Sequence, residues 1–265
     1  NNYVYFAGFY WRIIRINGDG TIRMIYDGTS AHDNGESSTD RSIGTDAFNS
    51  SSNDNAYVGY MYGTPGSSTY AETHANTNDS TIKTDLDLWY TKNIKDTKNE
   101  QYIANAIYCN DREVSTVNSD FTGDGLGTTE TAYKTFERLE INKKPSLKCN
   151  QTNDRFTVNS KVSGVTGNGV LTYPIGLITA DEAAYAGGKI GSFNTKYYLY
   201  TGNYYWTMSP YLFDESNAVE LGGGSNGNLD LDGVYRVSDI RPVISISGTA
   251  LNTGTGTKTD SFKIK

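Results

Sequence analysis

The sequence predicts an α+β domain of short, twisted antiparallel strands, two or three helices and long polar loops. Three observations carry that prediction. A β-rich hairpin opens the chain at residues 10–16 and 21–26, joined by Asn17-Gly18-Asp19-Gly20, which is turn chemistry. Ile82, Leu86, Trp89, Tyr90 and Ile94 then recur at helical spacing. From Tyr197 onward, short apolar and aromatic runs alternate with Gly- and Asn-rich turns.

In the hairpin, Arg12 and Arg23 alternate with apolar neighbours, as on a sheet with one wet face. Residues 27–55 are too poor in apolar side chains to pack by themselves, so they read as a long loop, either free on the surface or pinned by polar contacts. Residues 57–62 read as a strand ended at Gly63-Thr64-Pro65-Gly66. Asp79 or Ser80 is placed to cap the helix, and a second short helical piece is expected over residues 102–107. Residues 115–150 form a loop-rich insert, followed by a short strand near Phe156. Thr179 and Glu182 have capping-box spacing, so a helix starts there and stops at Gly187-Gly188. Of the neighbours Tyr205 and Trp206, alternation places one in the core and one outward, and Pro210 is expected to end their strand. Residues 1–250 read as a single domain with loop insertions at 27–55 and 115–150, and residues 251–265 as an exit strand or linker.

Composition narrows the class. Among 265 residues there are 21 Tyr and 28 Gly but only 5 Pro, a profile that suits half-wet strands and binding faces. The net charge of −7 argues against nucleic acid, whose affinity comes from Lys and Arg neutralising phosphates. Cys109 and Cys149 lie 40 residues apart, and His32 and His74 are the only histidines, too few ligands for structural zinc. The preferred reading is a disulfide, with two buried free thiols as the alternative. A disulfide implies an oxidising compartment. No apolar run has membrane length and no signal peptide is present. The abrupt, strand-like start reads as a processed or excised piece of a longer secreted protein.

Several motifs together carry a resemblance. They are the Trp11-Arg12-Ile13 hairpin, Leu86 with Trp89-Tyr90, Cys109-Asn110-Asp111-Arg112, Gly176-Leu177-Ile178-Thr179 with Asp181-Glu182, Tyr198-Leu199-Tyr200-Thr201-Gly202, Tyr204 to Pro210, and Ile240-Arg241-Pro242-Val243-Ile244. The chain resembles a family of bacterial surface or pilin-like proteins with a C-type-lectin-like fold, related to formylglycine-generating enzymes. The resemblance implies that fold and a place on the surface of Gram-positive-type bacteria. It carries no activity. Trp206 and Arg241, with the two cysteines, are then expected to be structural, Arg241 bonding carboxylates or loop carbonyls.

Catalysis finds little support. Enzymes on the related fold need paired reactive cysteines or several histidines, and no Gly-x-Ser-x-Gly is present. A carboxylate pair for glycoside hydrolysis is the remaining catalytic option. The loop from Asn118 sets Asn118, Asp120 and Asp124 at alternate positions with Gly123 sixth, as a calcium loop does, but the twelfth position is Thr129 and Glu130 falls one residue late. No cofactor is required, and calcium is an optional ligand. For recognition, the C-terminal loops offer Tyr211, Asn217, Asn226, Asn228 and Tyr235, rigid aromatics beside adaptable amides. The expectation is a non-enzymatic, extracellular, adhesin-like module that recognises a glycan or a host or neighbour-cell protein. The alternative is a structural domain of a filament or cell-wall protein that meets like subunits.

Overall fold

The computed structural model describes residues 1–117, 120–214 and 216–264. In chain order, the strands of its two large sheets begin with β1 (Tyr3–Phe6), β2 (Phe9–Ile16), β3 (Ile22–Gly28), β4 (Thr45–Ala47) and β5 (Thr131–Ala132). They continue with β6 (Tyr205–Asp214), β7 (Asn217–Gly223), β8 (Leu229–Gly233), β9 (Val237–Asp239), β10 (Val243–Ile246), β11 (Leu251–Thr253) and β12 (Phe262–Ile264). The described helices are α1 (Tyr70–Thr73), α2 (Thr81–Asn93), α3 (Lys134–Phe136), which runs on into a π-turn at Glu137–Ile141, and α4 (Ala180–Ala186). The class is α+β, mostly sheet.

The first sheet runs β10-β3-β2-β1-β12-β11, antiparallel except where β12 lies parallel to β1. The second runs β8-β7-β6-β9-β4, with β5 also on β6. The β2–β3 hairpin forms across the turn at 17–20, where the Asn17 N–H donates to the Thr21 carbonyl and the Gly20 N–H to the Asn17 carbonyl. Residues 251–264 return to the first sheet and set the last described strand against the first.

Helix α2 starts where Ser80 Oγ accepts the Lys83 N–H, and it buries Ile82, Leu86 and Tyr90. Trp89 is half-buried and meets Phe9, Trp11 and Tyr26 at ring distances of 5.5–6.0 Å, which locks the helix onto the hairpin. Helix α4 carries the complete capping box between Thr179 and Glu182, and Gly187 ends it at φ 121°, a conformation that favours glycine.

Five local expectations are corrected. Arg12 and Arg23 are buried, not on a wet face, because Arg12 lies over the Tyr3 ring and beside Asp27 and Arg23 pairs with Glu182. Tyr205 and Trp206 are both fully buried, because β6 is an inner strand covered on both faces: Arg241 lies over the Tyr205 ring, and Phe48 meets Trp206 edge-on. Pro210 sits inside β6, not at its end; the register shifts between Pro210 and Leu212, a bulge that accommodates the missing N–H. Residues 102–107 are not helical: a 3-10 turn at Glu100–Tyr102 leads into extended chain, where Ile103 pairs with Ile246 along the edge of β10. Residues 57–62 are a 3-10 turn at Asn55–Val58 followed by a two-residue strand, Met61–Tyr62.

The 27–55 loop is pinned by polar contacts. Arg41 is fully buried and donates to Asp27 at 2.6 and 2.9 Å, to the Tyr198 carbonyl at 2.6 Å and to the Glu36 carbonyl at 2.8 Å. His32 is held between Glu36 at 2.8 Å and Asp40 at 2.6 Å. These polar contacts anchor the first half of the segment, and buried Phe48 anchors the second.

Candidate functional site

A cleft of about 390 Å³ opens beside the disulfide. One wall is the β2–β3 hairpin, which contributes Arg15 and Arg23; another is the first turn of α4, with Asp181 and Glu182. Asp111 and Arg138 form its side, and residues 146–150 close over it. Cys109 and Cys149 are bonded, with Cα atoms 5.9 Å apart, so the covering segment is tied to the strand Tyr108–Cys109. Intact mass measured on the denatured chain should rise by two hydrogens on reduction; an unchanged mass would mean free thiols.

The polar groups of the cleft are positioned by local structure. Glu182 makes two sets of contacts: its Oε2 accepts the Thr179 N–H at 3.0 Å in the capping box, and its Oε1 lies 2.7 Å from Arg23 Nε and 3.3 Å from Arg15 Nε. Arg23 also donates to the Leu177 carbonyl at 3.0 Å and stacks over Tyr108. Arg138 grips Asp181 through two bonds, 2.9 and 2.8 Å, and reaches Asp111 Oδ2 at 2.6 Å. Burial works against its charge, but these carboxylates outweigh that and raise its pKa. Asp181 also accepts the Ser146 N–H at 2.7 Å, which fixes the covering segment. Arg155 holds the same segment through the carbonyls of Cys149 and Asn150. Burial raises the pKa of Asp111, opposed by Arg138 and by a backbone hydrogen bond from Glu113.

The residues singled out in the C-terminal loops do not converge. Tyr211 is buried, its ring against Phe136 and its hydroxyl on Glu140 at 2.9 Å, so it is not an exposed aromatic. The reason is that β6 is covered on both faces. Asn217 accepts a bond from the Ser52 hydroxyl at 3.0 Å, and Asn228 is buried in the β7–β8 turn. Asn226 and Tyr235 are exposed but stand at opposite ends of β8, Tyr235 under the Arg236 guanidinium. Asn118 lies outside the described residues. Asp120 and Asp124 are exposed in a turn whose Gly123 N–H donates to the Glu130 carbonyl, and no group of three or more His, Cys, Asp or Glu among the described residues could hold a metal ion.

Trp206 donates its indole N–H to the Asp46 carbonyl. Arg241 is fully buried and donates to the carbonyls of Leu199 and Tyr26 and to Asp27. Sequence reasoning missed the cleft because its residues come from segments between 15 and 209; the expected disulfide and the capping box at Thr179–Glu182 were legible separately, but not that they meet.

Among the described residues no helix is long and apolar enough to cross a membrane. Comparison of the chain with protein-family models, with curated proteins and with solved structures finds no match.

Proposed function

We propose that the chain is a non-enzymatic, extracellular, adhesin-like binding module of C-type-lectin-like architecture, and that its ligand enters the cleft beside the disulfide. The observation that carries this reading is the cleft itself. It is a concavity in the size range of small-ligand sites, and its charged groups are held in place by a capping box, a bidentate Arg–Asp pair and the disulfide. Pre-set polar groups reduce the ordering cost of binding. The pairing of the terminal strands β1 and β12 and the long loops between the sheets support the fold assignment. The disulfide supports an oxidising, extracellular setting.

A glycan array, run with calcium and again with chelator, tests the reading alongside a panel of surface proteins. Reproducible binding is expected, and Leu147→Trp should weaken it at least tenfold, because Leu147 is half-exposed at the cleft and a bulky ring there fills the mouth. Blank screens in both conditions would sink the binding module. Binding that ignores Leu147→Trp would move the site elsewhere.

A further inference from the structure

We propose that residues 29–40 form an acid-locked strap: a doubly protonated His32 holds the segment closed against β1 and β2, and loss of one ring proton releases it.

The geometry of the ring carries this. His32 is buried, with its Nδ1 2.8 Å from Glu36 Oε1 and its Nε2 2.6 Å from Asp40 Oδ1. An ionised carboxylate only accepts, so each ring nitrogen must donate to hold its partner. Neutral imidazole has a single N–H, and its other nitrogen would turn a lone pair toward an oxygen at hydrogen-bond distance. Either neutral tautomer therefore breaks one of the two contacts. The Ser30 hydroxyl, 3.4 Å from Nε2, is itself directed at Asp40. Both carboxylates stay charged. Burial works against Asp40, but Ser38, Thr29 and His32 outweigh it and hold its pKa at about 2. The Asp33 N–H and His32 lower that of Glu36.

The ring in turn secures the segment to the sheet. The His32 carbonyl accepts the Tyr3 hydroxyl of β1 at 2.6 Å and Arg12 Nη1 of β2 at 3.4 Å. Asn34 Oδ1 accepts Arg12 Nη2 at 2.8 Å, and the Ser38 N–H donates to the Thr201 carbonyl at 3.1 Å. The other charged groups facing the segment are Arg12, Asp27 of β3, which lies 3.8 Å from Arg12, and Arg41, which donates to the Glu36 carbonyl. Lys258 pairs with Asp33 at 2.7 Å and Glu36 at 3.7 Å, and the Asn1 amine shares a depression with Asp33 and Asn34. Burial raises the pKa of Tyr3 and pushes that of Tyr26 up to about 12. Histidine is the side chain whose ordinary titration falls between about pH 5 and 8. The double contact is present when the ring is charged, so the segment is closed in acid and loosens as the pH rises. Opening takes two acceptors from Arg12, the His32 carbonyl and Asn34 Oδ1, and turns its guanidinium toward the depression it shares with Asn2, Tyr198 and Lys258.

Hydrogen exchange of the purified chain, read residue by residue at about pH 5.5 and about pH 8.5 and corrected for the intrinsic pH dependence of exchange, tests this. The amides of Thr29, Asp33, Glu36 and Ser38 are all hydrogen-bonded in the closed segment. They should lose about tenfold in protection at the higher pH, the cost of one charge-assisted bond, while those of β3 keep theirs. Nitrogen NMR of the ring should find two N–H groups at the lower pH and one at the higher. Asp40→Asn offers an amide N–H to Nε2, so a neutral ring serves both neighbours and protection should no longer depend on pH. His32→Gln should also lose the pH dependence, with the segment loose throughout.

Equal protection at both pH values in the unaltered chain would overturn the proposal, as would a ring already neutral at the lower one. A pH dependence that persists in His32→Gln would belong to another group, such as the Asn1 amine, and would overturn it equally. Exchange and ring NMR of the unaltered chain need no variant, so they decide the matter even where Asp40→Asn fails to fold.

Discussion

Replacing Asp27 with Asn or Ala is expected to destabilise the fold by about 3–5 kcal/mol, the usual cost of stripping one partner from a buried ion cluster. Asp27 is fully buried at the end of β3, and three guanidiniums surround it. Arg41 lies 2.6 Å away, Arg241 3.3 Å and Arg12 3.8 Å. One carboxylate thus answers three buried cations. Their other partners are neutral: the side-chain oxygens of Asn2 and Asn34, the backbone carbonyls of Tyr26, His32, Glu36, Tyr198, Leu199 and Tyr200, and the rings of Tyr3, Tyr198 and Tyr205. Burial depresses the pKa of Arg241 and repulsion from Arg41 adds to it, so the cluster is already under electrostatic load. Asn keeps the shape of Asp and removes the charge, so Asp27→Asn should cost nearly as much as Asp27→Ala. Urea unfolding followed by circular dichroism measures both. An Asp27→Asn variant within about 1 kcal/mol of the parent would show that carbonyls and rings alone hold the arginines.

The second large effect depends on pH. Glu220, in the middle of β7, is fully buried, and neither carboxylate oxygen has a partner among the described residues. Burial pushes its pKa well above 4.5, and Arg112 pulls it back only in part. Below the unfolded pKa both states hold the proton, so stability is unaffected by this group. Above it the unfolded chain releases the proton while the native state keeps it. Stability then falls with rising pH, by about 1.4 kcal/mol per unit, until the native group itself ionises. Glu220→Gln abolishes that slope. Parent and variant should differ by a constant below about pH 4.5, and the variant should gain on the parent as the pH rises above it, by at most about 1.4 kcal/mol per unit. Unfolding curves across this range, taken as differences, cancel the other titrating groups. Parallel curves for the two proteins would mean that Glu220 is ionised in the fold.

Several elements were legible because their causes lie within a few residues. The hairpin turn at Asn17–Gly20, the apolar stripe of α2 and the Thr179–Glu182 capping box each depend on chemistry at spacings of two to four positions. The misreadings share the opposite cause. Residues 102–107 have an apolar pattern that suits a helix turn, but β10 offered an edge for Ile103 to pair with. Tyr205 and Trp206 look like an alternating strand with a wet face and Tyr211 like an exposed loop residue beyond Pro210, and only the layers packed on both sides of β6 bury all three. The same burial took Tyr211 out of the expected ligand face.

By itself, the sequence determined the α+β class, the hairpin, the two longer helices and the acidity of the surface, because local propensity and composition are written residue by residue. Only the tertiary structure decided where the charges meet. It bonds Cys109 to Cys149, places Asp27 among three arginines, leaves Glu220 unpaired among the described residues and gathers Arg15, Asp111, Arg138 and Glu182 around one cleft. The strength of a charge depends on burial and on neighbours far along the chain, and neither is visible in the order of residues.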